Sequence, residues 1–264
     1  MSTAINRNDP AAIAAIRGRA REWFALADSV ALFSDLLIDR IQPKRDDGQQ
    51  VLCTLLFRRL LSAYQAVIIL AERGMHTEGL IQRRGMLEAL FALGAMWQQP
   101  TTVQDYIRND LHRRRDIYKN LLKTSAEMRK TISPLMSETE LHRRAEELTK
   151  QTKGVTYLSV EEFSQRAKLH DLYLTDYCIL SEASHHGPRD IERHIIVGAD
   201  DDIEELIWGF EPEPPFKLLF LATDQMLKGV SVVDRLFALG MASNITQFSV
   251  ESQRLPVTDE TGDG

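Results

Sequence analysis

The stretch "LLSAYQAVIIL", residues 60–70, is strongly apolar and decides the fold class of this chain. It lies in a longer segment, about residues 50–72, whose apolar side chains recur at helical spacing, and Gly74 follows as a stop signal. A helix that is apolar around most of its circumference is normally buried by other elements. The sequence therefore predicts a central helix that neighbouring helices must cover.

Helical spacing continues on both sides of this central segment. Asp9 is a predicted N-cap, with Pro10 at the first helical position of a long helix that runs to about residue 41. Thr102 is predicted to cap a more polar helix that ends before Pro134. Further helices are predicted at about 77–98, 137–152, 160–169, 171–186, 202–208 and 216–240. We therefore predict an all-α protein, a single antiparallel helical bundle of about seven to nine helices.

The division of the chain follows from the same pattern. We predict one helical domain over residues 1–246 and a disordered C-terminal tail over residues 247–264, because the sequence turns polar there. Only "DIERHIIVGADDD", residues 190–202, has some strand character, and an irregular connection explains it equally well.

The composition of the chain argues against some classes of function. The chain has 264 residues, of which 44% are hydrophobic and 27% charged, which is ordinary for a soluble globular protein. Its net charge of −6 argues against wholesale binding to nucleic acid or anionic membranes, although a local basic patch is compatible with it. The N-terminus lacks a signal peptide's apolar core, and the longest uncharged run, residues 89–104, is interrupted by Pro100. We expect a cytoplasmic protein without a membrane span.

The cysteines and acidic residues give little sign of a metal site. Cys53 and Cys178 lie in apolar helical segments, so we expect two buried, reduced thiols. "EASH", Glu182 to His185, has the Glu-x-x-His spacing of di-iron helical bundles, but such sites need a second copy and the sequence has none. We therefore expect no metal and no cofactor.

One polar stripe lies on the helix predicted at 171–186. Tyr177, Ser181 and His185 are spaced four apart and share a face. Ser181 and His185 can act as a nucleophile and its base if a third group orients the imidazole. Alternatively, Ser181 bonds back to a main-chain carbonyl and His185 caps the helix C-terminus. The spacing is compatible with both interpretations.

A second polar pair interrupts the apolar helix predicted at 77–98. Arg84 and Glu88 are four residues apart within "LIQRRGMLEALFALGAMW". A partly exposed ion pair is one explanation. A polar interior site is the other, because burying an ion pair is a poor way to gain stability.

A third pattern is "RDIERH", Arg189 to His194, which resembles the Arg-x4-His motif of HEPN-type ribonucleases. Those helical proteins cleave RNA without a metal, usually across a dimer; the imidazole transfers protons and the guanidinium stabilises phosphate charge. Here the preceding Gly187-Pro188 places the start of the motif in a turn. In a chain so rich in arginine, chance alone gives roughly 0.6 matches at this spacing.

Three segments together resemble an uncharacterised family of helical prokaryotic proteins, a domain of unknown function. They are "GMHTEGLIQRRGMLEALF" (74–91), "YIRNDLHRRRDIYKNLL" (106–122) and "YLTDYCILSEASHHGP" (173–188), within a resemblance that spans about residues 50–240. The family has an Arg-x3-Glu on one helix and a Ser-x3-His on a later one. The resemblance implies no established activity, but it implies that Arg84, Glu88, Ser181 and His185 share one polar site.

Two hypotheses of function follow. In the first, this site binds or acts on RNA or another phosphate-bearing ligand, by analogy with HEPN-like proteins of toxin and phage-defence systems. A metal-independent ribonuclease would use His185 as acid and base, Arg84 as anion stabiliser, Glu88 to orient Arg84, and Ser181 as a hydrogen-bond partner. In the second, the four residues are a structural network in a non-catalytic interaction module, for which a homodimer is one candidate assembly. A site must open to solvent, whereas a structural network is sealed.

Overall fold

The structure is a computed structural model that describes residues 7–132, 136–184, 192, 194–198, 200, 202–207 and 214–257. Helices dominate these residues, so the protein is mostly all-α as predicted. The α-helices are α1 (Pro10–Arg19), α2 (Arg21–Arg40), α3 (Gly48–Glu72), α4 (His76–Gln98), α5 (Thr102–Lys123), α6 (Ala126–Ile132), α7 (Glu138–Gln151), α8 (Val160–Arg166), α9 (His170–Leu172), α10 (Cys178–Ser184), α11 (Phe216–Phe237) and α12 (Ala242–Arg254). A π-helical segment, Tyr173–Tyr177, joins α9 to α10, and the strands are β1 (Ile195–Val197) and β2 (Ile203–Leu206).

Helices α3 and α4 form the centre of the fold, as the sequence predicts for α3. Asp47 caps α3 by accepting a hydrogen bond from the Gln50 amide at 3.0 Å. After α3, Gly74 takes a left-handed φ of 61°, which allows the chain to reverse within residues 73–75. Because this connection is so short, α3 and α4 pack side by side.

Helix α11 covers the α3–α4 pair and also contacts α2. Gly229 marks its close approach to α3, because a Cβ at this position would overlap the Cδ2 atom of Leu60. Leu60 is fully buried and has little room to move. The largest completely buried side chains of this core include Trp23, Phe24, Phe57, Tyr64, Phe91, Met86, Leu87 and Leu90.

Tyr64 links three of these helices through its hydroxyl group. The hydroxyl is hydrogen-bonded to Thr223 Oγ1 on α11 at 2.8 Å and donates to the Ala27 carbonyl of α2 at 3.3 Å. Burial raises the pKa of Tyr64, so the hydroxyl remains protonated. A polar group inside the core is thus satisfied and fixes the relative position of α2, α3 and α11.

Several predicted helices are divided in the structure. Asp9 does cap α1 with Pro10 at its first position, but the chain leaves helical geometry at Ala20, so α1 and α2 are separate. The polar fourth helix likewise ends at Lys123, and α6 follows it. The described residues therefore contain more helical segments than the seven to nine that the sequence predicts.

Residues 195–197 and 203–206 form two paired strands. Strands β1 and β2 pair antiparallel, with Ile195 opposite Leu206 and Ile196 opposite Glu205. The predicted helix at 202–208 was therefore wrong. The β-branched run Ile195–Val197 favours an extended backbone and gives Ile203–Leu206 a partner.

The C-terminal region is ordered further than predicted. Helix α12 continues to Arg254, and the rings of Phe248 and Phe33 lie 5.4 Å apart. The Trp23 indole donates to the Pro256 carbonyl at 2.6 Å. The predicted start of disorder at residue 247 was wrong, because apolar side chains at helical spacing still pack on the core; residues 258–264 lie outside the described part.

By length and composition, α3 is the one helix of the described chain that is able to cross a membrane. Its most apolar window of 18 residues has a mean hydropathy of 1.4, and 44% of that window is buried inside the protein. The core helix of a soluble protein passes the same test, so this single helix is weak evidence for a membrane location.

Replacing Gly229 tests the close approach of α3 and α11. We expect Gly229→Ala to lower the free energy of unfolding by about 1–3 kcal/mol, because the added methyl group overpacks the core against Leu60. Gly18→Ala is the matched control: Gly18 is exposed on α1 with no atom near the added methyl, so alanine should be neutral or stabilise by up to about 1 kcal/mol. Urea unfolding measures both, and equal effects would contradict the close approach.

The two thiols should react differently. Both cysteines are free, but only Cys53 is buried; Cys178 is exposed, contrary to the prediction of two buried thiols. Burial raises the pKa of Cys53 to about 12, so its thiolate is scarce as well as inaccessible. We expect iodoacetamide to modify one thiol per native chain and two after unfolding, as counted by mass spectrometry. Rapid modification of a native Cys178→Ser protein would contradict the burial of Cys53.

Candidate functional site

The two predicted polar motifs meet in space. Arg84 on α4 faces the π-helical segment and α10, and its Nε donates to Ser181 Oγ at 3.3 Å. Its Nη2 donates to the Tyr177 hydroxyl at 2.6 Å, and its Nη1 lies 3.1 Å from Glu88 Oε1. These four residues, Arg84, Glu88, Tyr177 and Ser181, are called the Arg84 cluster below.

Tyr177 is hydrogen-bonded to every other residue of the Arg84 cluster. Besides accepting from Arg84, its hydroxyl donates to Glu88 Oε1 at 3.0 Å, and the guanidinium carbon lies 4.8 Å from the centre of its ring. Tyr173 stacks on the same ring at 5.2 Å. Burial, followed by the charge of Glu88, raises the pKa of Tyr177 to about 12. The hydroxyl therefore stays protonated at neutral pH and serves as a donor.

Ser181 takes the second of the two roles that its spacing allows. Its hydroxyl donates to the Tyr177 carbonyl oxygen at 2.9 Å, so the predicted back-bond within the helix is confirmed. The same oxygen accepts from Arg84, which makes Ser181 a link between two helices. His185, the proposed acid and base, and Arg189 of the "RDIERH" pattern lie outside the described residues.

The Arg84 cluster is partly open to solvent. The side chain of Arg84 is 27% exposed and that of Glu88 is 41% exposed, whereas Tyr177 is buried. The interpretation of Arg84 and Glu88 as a partly exposed ion pair therefore agrees with the structure. The cluster is not sealed in the way that a purely internal network would be.

A buried ion pair lies beside this cluster. Arg83 is only 2% exposed and pairs with the carboxylate of Asp176, which is 16% exposed and also accepts from Gln225 Nε2 at 2.8 Å. Burial lowers the pKa of Arg83, and the charge of Asp176 acts in the opposite direction. Arg83 Nε and Gln225 Oε1 have no hydrogen-bond partner among the described residues. The pair thus holds two desolvated charges between α4, α11 and the π-helical segment.

Consecutive arginines on α4 bind consecutive residues of the π-helical segment. Arg83 pairs with Asp176, and Arg84 with Tyr177. π-helical turns are rare and occur frequently at functional sites. The sequence analysis did not predict the buried pair of Arg83 and Asp176. One signal for Arg83 was present: it lies three residues after Leu80, so the two side chains share a face of the helix among core positions. Asp176 and Gln225 had no comparable signal, because they come from two segments that are distant from Arg83 in the sequence.

The described residues offer no assembled metal site. Within them, no three His, Cys, Asp or Glu side chains come together in a way that could hold a metal ion. Glu182, from the Glu-x-x-His pattern, is exposed on α10. The chemistry of the Arg84 cluster is instead that of a cation with a fixed orientation, flanked by hydroxyl groups and one carboxylate.

Asp176→Asn tests the desolvation of the inner pair. Removing the negative charge leaves the Arg83 guanidinium buried without its paired carboxylate, and we expect a loss of about 3 kcal/mol or more in the free energy of unfolding. The matched control is Glu88→Gln, which breaks a half-exposed pair and should cost about 1 kcal/mol or less. Urea titration of both variants gives the comparison. A small and similar loss in both would show that Arg83 is solvated.

Comparison with known proteins agrees with the resemblance drawn from the motifs. A family of unknown function, DUF5677, matches residues 50–204, which include most of α3, all of α4 and α10, and the residues of the Arg84 cluster. The match ends before the expected residue 240, and it leaves the analogy with HEPN-type ribonucleases untested. No curated protein and no solved structure matches the chain significantly. Because the family match covers more than half of the 264 residues, the chain belongs to this family of unknown function, DUF5677.

Proposed function

We propose that the Arg84 cluster binds a phosphate group of a ligand, with RNA as the leading candidate. One observation carries this proposal: Arg84 is held by a ring, two hydroxyl groups and a carboxylate, yet its side chain remains 27% exposed. Arginine's planar fork matches phosphate oxygens, and a guanidinium fixed in advance loses little freedom when it binds them. The support is therefore a preorganised cation with access to solvent.

Glu88 is the partner that a phosphate would displace. It is the more exposed member of the ion pair, and its carboxylate occupies a position beside Arg84 Nη1 that a phosphate oxygen can take. A half-exposed pair of this kind contributes roughly 0–1 kcal/mol, so giving it up costs little. Tyr177 and Ser181 would keep Arg84 in place during this exchange, because their hydrogen bonds involve its other nitrogen atoms.

Catalysis in this proposal depends on His185. The imidazole would transfer protons at the attacking or leaving oxygen of RNA, and Arg84 would stabilise charge on the phosphate, without a metal. We assign Ser181 a hydrogen-bonding role, because its own proton is donated to the Tyr177 carbonyl. The setting we propose is a cytoplasmic toxin or phage-defence system, by analogy with HEPN-like proteins.

The same geometry favours a second candidate function. Every nitrogen atom of the Arg84 guanidinium group already has a partner within the protein. Such saturation is expected if the cluster fixes the register of α4 against the π-helical segment. In that case the protein is a non-catalytic helical interaction module, and a homodimer is the candidate assembly.

Two conservative substitutions separate these functions. Arg84→Lys keeps the charge but loses the planar fork, and His185→Asn keeps a hydrogen-bonding group but removes the acid and base. If the site is catalytic, both variants should stay folded, and His185→Asn should lose roughly 10²–10⁴-fold in cleavage of a 5′-labelled RNA. The control is Arg235→Lys, which changes another arginine placed over an aromatic ring, 5.3 Å from the centre of Trp97.

RNA cleavage by each variant is compared with its thermal unfolding. Full cleavage by a well-folded His185→Asn protein would exclude His185 as the catalyst. If the wild type neither cleaves nor binds RNA, and stability falls in step with the loss of Arg84 contacts, the interaction module is the better account. Equal losses of cleavage in Arg84→Lys and Arg235→Lys would show that the effect is not specific to the cluster.

A further inference from the structure

A cavity of about 240 Å³ lies between α4, α11 and the connection from α8 to α9. Most of its lining is apolar and includes Leu90, Trp97, Leu169 and Val232. None of the four residues of the Arg84 cluster lines it, so it is a separate feature of the molecule. Its volume equals that of about eight water molecules in the liquid, which is enough for a small organic molecule.

Two lysines, Lys168 and Lys228, line this cavity, and none of the described residues in its lining is acidic. The ammonium group of Lys228 already pairs with Asp224, one turn earlier on α11. Lys168 is exposed, and its side chain has no ion pair or hydrogen bond with any other described residue. The border of an apolar cavity therefore carries an uncompensated cation, in a chain whose net charge is −6.

Lys168 occupies a backbone position at the end of α8 where glycine is the usual residue. Its φ of 57° lies in the left-handed region. The Lys168 amide donates to the Gln165 carbonyl at 3.0 Å, and the Leu169 amide donates to the Ser164 carbonyl at 2.9 Å, which is the Schellman pattern of a helix C-terminus. These hydrogen bonds fix the point from which the lysine side chain extends. The chain thus places a cation beside the cavity at a position that favours glycine.

The walls of the cavity are closely packed. Helix α4 meets the end of α8 at Gly94, where an added Cβ would lie 3.0 Å from the Cβ of Ala167. Trp97, three residues later on α4, has the Arg235 guanidinium of α11 at 5.3 Å from the centre of its ring. The groups that bound the cavity therefore have little freedom to move, as is typical of preformed sites for small molecules.

The cavity between α5 and α7 is similar in size but differs in charge. Its volume is about 270 Å³, and Arg114, Arg143 and Arg144 line it. Arg114 pairs with Asp110, and the other two arginines pair with Glu140. An anion would have to compete with these carboxylates for the arginines, which is not the case in the cavity next to α8.

We infer that the cavity next to α8 binds a small aromatic carboxylate. The apolar body of the ligand would lie against Trp97, Leu90 and Val232, and its carboxylate would accept hydrogen bonds from the Lys168 ammonium group. A mostly apolar pocket with one or two polar groups that set the orientation is the usual design of a small-molecule site. This inference goes beyond the proposed function, because it uses no residue of the Arg84 cluster and requires no RNA.

Phenylacetate, with about ten non-hydrogen atoms, is the test ligand. We expect the full chain to bind it with a Kd of roughly 0.1–1 mM at neutral pH, as measured by isothermal titration calorimetry. Phenylacetamide has nearly the same shape without the charge, so it should bind about tenfold less tightly. Equal affinity for the two compounds would overturn the role of the cation.

Lys168→Gln removes the charge from the exposed end of α8 without changing the apolar walls. We expect it to weaken the binding of phenylacetate by about 5- to 20-fold and to leave the Kd of phenylacetamide within about twofold. The matched control is Lys217→Gln, which removes another exposed lysine, on α11, that does not line the cavity. The control should bind both compounds like the wild type.

Ser231→Leu tests the location of the ligand by filling the cavity. Ser231 is half-buried on α11 and lines the cavity, so a leucine there should abolish binding of both compounds. Thermal unfolding of each variant shows whether it is folded, and Lys168→Gln still decides the matter if Ser231→Leu is not. Unchanged binding by a folded Ser231→Leu protein would place the ligand elsewhere and overturn the inference. A wild type that does not bind phenylacetate overturns it as well, and the proposed function of the Arg84 cluster is unaffected by either result.

Discussion

The burial of α4 around most of its circumference is the constraint on which the rest of the structure depends. Helices α3, α8, α10 and α11 all pack against it, and its buried positions are distributed over nearly every face. Apolar burial of this extent is the main favourable contribution to folding. The stripe with Arg84 and Glu88 keeps partial contact with solvent. The central helix of the core therefore carries the polar cluster to the surface.

Two adjacent arginines on α4 differ in their exposure to solvent. Arg83 is desolvated, so it requires a full counter-charge and receives it from Asp176. Arg84 keeps contact with water, so its ion pair with Glu88 is weak and exchangeable. The π-helical segment provides partners for both arginines. The buried pair of Arg83 and Asp176 can thus fix the position of the π-helical segment. The exposed pair of Arg84 and Glu88 can exchange its carboxylate for a ligand.

The net charge of the whole chain gives no indication of this local arrangement of arginines. A net charge of −6 repels polyanions at long range, so any nucleic-acid ligand must be held by a few well-placed groups at short range. Arg84 is such a group, because hydrogen bonds to Ser181 and Tyr177 hold its guanidinium in one orientation. Preorganisation of this kind can compensate for an unfavourable overall charge, because less freedom is lost on binding.

The sequence by itself determined the helical class of the protein, the position of α3, and the Asp9 cap at the start of α1. The family resemblance, not the spacing, brought Arg84 and Ser181 together before the structure did. The tertiary structure alone decided that Arg83 pairs with Asp176, that Gln225 also donates to this carboxylate, and that residues 203–206 form a strand. The physical reason is that periodicity identifies which face of a helix is buried but not which distant segment lies opposite it. Segments with weak local preference take the conformation that their partners allow.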